Sequence, residues 1–220
     1  MGPDPAAARA GRAQTAASSG CFVDLYWLPV GAGAPSRMRD WSLAVWEGAS
    51  AFLGRRRRGA LYHAALKMRL DSGTPYTVEL TPVFIGEPAA PAMTGPVGFR
   101  SADRLRIFRY QLRCLEAEAL PDEEWVVGSP IRLSTDCQAG PRLLSLAPTV
   151  PPHSWGRRVR GTSEMWTSAS VISWLLMRAG IDARAIPVPA GGRAPGWQAG
   201  LELAALQGWA DAAGGAEAEV

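Results

Sequence analysis

A hydroxyl cluster at Thr167, Ser168 and Ser170 opens the stretch whose residue types are suited to chemistry, and apolar residues follow at Val171, Ile172, Leu175, Leu176 and Ala179. Those positions keep the three-and-four spacing of one helical face. The spacing predicts a buried helix with Thr167 as N-cap, Arg178 in the last turn and Gly180 as a left-handed C-cap. Ser168 falls on the inward face with Ile172, Leu175 and Ala179. The free N–H groups and dipole of a helix N-terminus favour developing negative charge there. A serine so placed suits a nucleophile or an anion site, and equally an ordinary cap.

The second candidate is His63, one of two histidines in the chain. Around it Tyr62, Ala64, Leu66, Met68 and Leu70 are apolar, while His63, Lys67 and Arg69 are polar. Beyond a turn at Asp71–Pro75, Tyr76, Val78, Leu80 and Pro82 alternate with Thr77, Glu79 and Thr81. Two matched alternations predict a hairpin with one buried face, and put His63 and Glu79 together on the other. A symmetric loop sets Glu79 opposite Lys67, ready for a salt bridge. A two-residue slip instead brings Glu79 diagonal to His63, where it would orient the imidazole.

The elements that must hold these groups read as follows. Cys21–Val30 is a strand interrupted by Asp24, and a helix spans about Arg37–Leu53. Phe84–Arg104, rich in Pro and Gly, reads as loop, and Arg104–Leu115 as a further strand. A short helix ends at Leu146 before Pro148, and a last helix covers about Trp197–Trp209. Gly191-Gly192 lacks the lysine and spacing of a phosphate loop and reads as a turn. The pattern is α+β: an antiparallel sheet packed against the Ser168 helix.

With 220 residues, 47% of them apolar and 20% charged, the chain has the size of one domain. Residues 21–209 form it, between a disordered arm (1–20) and a disordered acidic tail (210–220). Lys67 is the single lysine behind a net charge of +3. The arginine skew reads as codon bias in a high-GC bacterium, and Arg55–Arg58, between glycines, as a solvated loop. No nucleic-acid motif accompanies it, so no nucleic-acid partner is expected. No apolar run reaches membrane-spanning length or resembles a leader, which gives an expectation of no membrane partner and a cytoplasmic location. Cys21, Cys114 and Cys137 are odd in number and widely spaced. They predict no metal site and no cofactor: Cys21 and Cys114 read as buried apolar thiols, Cys137 as a loop residue.

The order of strand with histidine, second strand, then helix opened by a hydroxyl resembles the circularly permuted papain-like folds of the PPPDE and lecithin:retinol acyltransferase-like groups. Tyr62-His63-Ala64-Ala65-Leu66 is similar to their histidine strand, and Thr167-Ser168-Ala169-Ser170-Val171-Ile172 to their nucleophile helix. The likeness covers about Leu61–Leu176. It implies Ser168 as nucleophile, His63 as base and oxyanion donors at the helix N-terminus, and the carboxylates open to orienting that base are Glu79 or Asp24. Ser168 departs from the family's cysteine, and no asparagine precedes it. Serine is harder to ionise than cysteine, so His63 would have to act as a true general base. Three readings follow: a Ser/His hydrolase or acyltransferase acting on a peptide, amide or ester; a catalytically silent module of the same fold; or an unrelated α+β domain. The first two place a small-molecule or peptide ligand in a groove beside Ser168.

Overall fold

The computed structural model describes residues 20–30, 60–83, 90–98, 104–120, 123–128 and 130–208. The terminal arm, the helix expected at Arg37–Leu53, the arginine run and the tail lie outside them, apart from Gly20. β1 (Phe22–Pro29) runs antiparallel to β2 (Ala60–Arg69), with Trp27 opposite Ala64 and Leu28 opposite His63. β2 turns into β3 (Pro75–Pro82), with Leu66 opposite Val78 and Lys67 opposite Thr77. The hairpin is thus the one the alternation predicts, two residues away from the symmetric register. β4 (Met93–Pro96), β5 (Arg109–Glu116) and β6 (Ile131–Ser134) complete an antiparallel order β4-β5-β3-β2-β1-β6, and β7 (Gly192–Arg193) lies parallel to β2.

β4 is a strand where the sequence reading has loop, and β6 is a strand in a stretch to which that reading gives no element. Each is four residues long, too short for alternation to register, and β4 contains Gly95 and Pro96. Gly95 is required there, because a Cβ would lie 2.3 Å from the Tyr110 ring. The two sheet edges differ. Trp155 covers β4: its N–H bonds Pro96 O at 2.8 Å, and its carbonyl accepts from Gly98 N at 3.0 Å. β6 ends the order on the other side.

Three α-helices follow among the described residues: α1 (Ala139–Leu146), α2 (Ser168–Arg178) and α3 (Trp197–Leu206), the last ending short of Trp209. None is long and apolar enough to cross a membrane. α2 is buried along nearly its whole length. Its Val171, Ile172, Leu175 and Leu176 share one core with Val23, Leu25 and Trp27 of β1 and Tyr62, Ala64, Leu66 and Met68 of β2. The opposite sheet face carries a smaller apolar cluster, Tyr26, Leu28 and Ala65, closed by Leu120.

The cysteine reading is corrected. Cys21 and Cys137 form a disulfide across 116 residues, with Cα atoms 5.0 Å apart, and only Cys114 is free. Sequence separation hid the pair; the fold brings it together because Val23 pairs with Ser134 across β1 and β6. Disulfides stabilise chiefly by restricting the unfolded chain, and removing a native one from a small domain costs about 2–5 kcal/mol. Urea unfolding with and without a reductant is expected to differ by about that amount. Coincident midpoints, with the bond verified as reduced by mass, would contradict the cross-link.

Candidate functional site

Two of the three hydroxyls at the head of α2, Thr167 and Ser170, are taken up by structure. Thr167 is the N-cap, as its position predicts: its Oγ1 accepts from Ser170 N, and Ser170 Oγ accepts from Thr167 N at 2.9 Å. Reciprocal bonds of this kind satisfy two otherwise unpaired helix N–H groups. Serine takes the place usually held by Glu or Gln, which is why the box is hard to see in sequence.

The same hydroxyls then reach to α3. Thr167 Oγ1 donates to Pro195 O at 2.6 Å, Ser170 Oγ to Gly196 O at 2.7 Å, and Ser173 Oγ to Trp197 O at 2.8 Å. Glu164 accepts from Gly196 N at 2.8 Å. Gly196 has φ +89°, a conformation side chains rarely adopt, and a Cβ there would meet Thr167 Oγ1 at 2.4 Å. A Cβ on Gly200 would lie 2.1 Å from both Ser170 O and Ser173 Oγ. Ser170 and Ser173 are fully buried, and they tie two helices through backbone carbonyls.

Ser168 itself sits half-buried at the first position of α2. His63 is not beside it. Side chains alternate across a strand, and Tyr62, Ala64, Leu66 and Met68 of β2 point into the core that α2 fills. His63 therefore points to the opposite face, with its cross-strand neighbour Leu28 and with Ala65. Burial lowers its pKa from 6.5 to about 4, because desolvation disfavours the imidazolium.

Glu79 shares the face of His63, as the alternation predicts, and stands across from Arg113 of β5. Continuing the β2–β3 register by one pair sets it opposite Ala65, diagonal to His63. Lys67 pairs with Glu123 at 2.9 Å, and the register sets Thr77 rather than Glu79 opposite it. Asp24 pairs with Arg132. It lies opposite Lys67, four residues along the strands from the His63 position, or about 13 Å at ~3.3 Å per residue. Asp24 cannot orient that ring.

The other histidine is nearer the α2 head. The His153 ring meets Trp166 edge-on at 5.2 Å, its carbonyl accepts from Tyr110 Oη at 2.7 Å, and Trp166 Nε1 donates to Tyr110 Oη at 3.2 Å. Burial raises the Cys114 thiol to about 11, which leaves it little thiolate at neutral pH.

Three cavities can be described. Two flank the Arg158–Arg160 loop beside α3. The third, about 480 Å³, runs beside β6 between the α1 head and the segment after α2. Neither Ser168 nor His63 lines any of the three.

Two measurements follow from this geometry. Gly200→Ala is expected to cost roughly 1–3 kcal/mol, the usual penalty for overpacking, read as a lowered urea midpoint; an unchanged midpoint would contradict the α2–α3 contact. For His63, the unfolded chain takes up a proton below pH 6.5 that the folded chain refuses until about pH 4. Stability contributed by the neutral ring is thus full above pH 6.5 and lost as pH falls through that window. His63→Gln is expected to flatten the decline between pH 7 and 4, and a decline parallel to the parent's would contradict it.

Searched against protein-family models, curated proteins and solved structures, the chain matches none.

Proposed function

We propose that the chain is a catalytically silent binding module, a permuted papain-like fold in which the acyl-transfer pair is lost. One observation supports this above the others: β2 directs His63 to one face of the sheet while α2 packs on the other. A serine nucleophile needs a base within hydrogen-bond reach. An imidazole with a pKa near 4 is also a poor proton acceptor for a hydroxyl at neutral pH. Thr167 and Ser170 at the α2 head are spent on capping and on contacts to the start of α3, which leaves Ser168 as the one head hydroxyl outside those bonds among the described contacts. The disulfide bears on location as well: such bonds persist in oxidising surroundings and are rare in a reducing cytoplasm, so the expected cytoplasmic location sits poorly with Cys21–Cys137.

The test is labelling with a fluorophosphonate probe on the parent, and with iodoacetamide on Ser168→Cys. The parent is expected to stay unlabelled, and the new thiol to react at the same rate with or without His63→Ala. Parent labelling at Ser168 that His63→Ala abolishes would restore the acyl-transfer reading and end this one.

A further inference from the structure

We propose that Cys21, Asp71 and Cys137 bind a thiophilic divalent cation of the zinc class once the Cys21–Cys137 bond is reduced, and release it when the bond re-forms. Neither Ser168 nor His63 takes part, so the result bears on this site alone.

The fold brings the three residues together from separate places. Cys21 stands at the start of β1, Asp71 opens the turn after β2, and Cys137 lies in the turn before α1. Pairing of Phe22 with Arg69 carries Cys21 to the end of β2, and pairing of Val23 with Ser134 carries it to the segment that leads into Cys137. Each turn is fixed locally. Leu70 N donates to Thr74 O at 3.0 Å, and Gly73 N to Leu70 O at 2.9 Å. Asp136 N donates to Ser134 Oγ at 3.0 Å, and Gln138 N to Asp136 Oδ1 at 2.9 Å. In sequence Asp71 is 50 residues from Cys21 and 66 from Cys137, so no ligand spacing is visible and none leads to an expected metal site.

Both sulfurs lie 3.8 Å from one oxygen, Asp71 Oδ1. A disulfide sulfur has no proton to donate to a carboxylate, yet these sulfurs are the partners of Asp71 among the described contacts. A tetrahedral zinc, with Zn–S of ~2.3 Å and Zn–O of ~2.1 Å, sets its sulfur and oxygen ligands about 3.6 Å apart. The sulfur–oxygen edges are therefore in place. Only the two sulfurs must separate, by rotation about their Cα–Cβ bonds, and Cα atoms 5.0 Å apart allow it. Two thiolates favour zinc and softer cations over magnesium or calcium, which take oxygen ligands. Cys21 is buried, Cys137 half-buried and Asp71 exposed, so the site opens to solvent on the carboxylate side and leaves a fourth position for water.

Reduction and binding balance. A dithiol reductant attacks the bond and leaves as its own disulfide, so two electrons and two protons reach the protein sulfurs. The cation then displaces both thiol protons to solvent, forming two Zn–S bonds and one Zn–O bond. A small-molecule disulfide reverses this. The Zn–S bonds break, the protein S–S bond forms, the cation leaves, and the oxidant takes two electrons and two solvent protons to become two thiols.

The test uses the full chain, either oxidised or reduced by a dithiol and desalted without oxygen, titrated with zinc against a chromophoric chelator. The reduced chain is expected to take up one zinc per molecule and the oxidised chain none. Zinc should also protect Cys21 and Cys137 of the reduced parent from iodoacetamide, read by peptide mass, while alkylation of Cys114 stays unchanged. Asp71→Asn, on an exposed turn, should form the disulfide as the parent does and weaken zinc binding about tenfold or more. No uptake by the reduced chain, equal uptake in both redox states, or uptake that leaves Cys21 and Cys137 open to alkylation would overturn the proposal. So would Asp71→Asn binding zinc as tightly as the parent.

Discussion

Everything in this fold depends on burying α2 against one face of the sheet. Nine consecutive residues, Ala169 to Met177, are buried, and each large aliphatic among them contributes about 1.5–3 kcal/mol by leaving water. A helix enclosed to that extent must satisfy its polar groups internally. Thr167 and Ser170 cap it, Ser170 and Ser173 bond the carbonyls of Gly196 and Trp197, and Gly196 and Gly200 let α3 approach closely enough for those bonds to form. Trp27 and Trp197, with ring centroids 4.9 Å apart, carry the contact on to β1.

That same burial bears on the chemistry. A hydroxyl-rich helix head beside a histidine strand has the outline of an acyl-transfer site, yet two structural constraints separate the parts. The pleat of β2 gives the α2 face to Tyr62, Ala64 and Leu66, leaving His63 for the other side. The capping and helix–helix bonds then take up Thr167, Ser170 and Ser173.

Much of the fold was legible in the sequence because period-two and period-3.6 patterns are local. The Tyr62–Leu70 and Tyr76–Pro82 alternations predict the hairpin, and the spacing from Val171 to Gly180 predicts α2 with both of its caps. Less legible were β4 and β6, too short for a period, and the Cys21–Cys137 bond, whose partners meet only through β1–β6 pairing. The candidate site misled for a related reason. Alternation reports correctly that His63 and Glu79 share a face, but not which face a distant helix will cover. The apolar residues flanking His63 held that information, since the helix had to take their side. Thr167, Ser168 and Ser170 resemble a site in sequence because a helix cap and a catalytic cluster use the same residue types.

The measurement that bears most directly on this arrangement is a set of nuclear Overhauser contacts from the His63 ring in the folded protein. The ring is expected to show contacts to the methyl groups of Leu28 and Ala65, while the methyls of Ile172 and Leu175 show contacts to Ala64 and Leu66 and none to His63. Contacts from the His63 ring to Ser168 or Ile172 would place imidazole and hydroxyl on one side of the sheet and contradict the account.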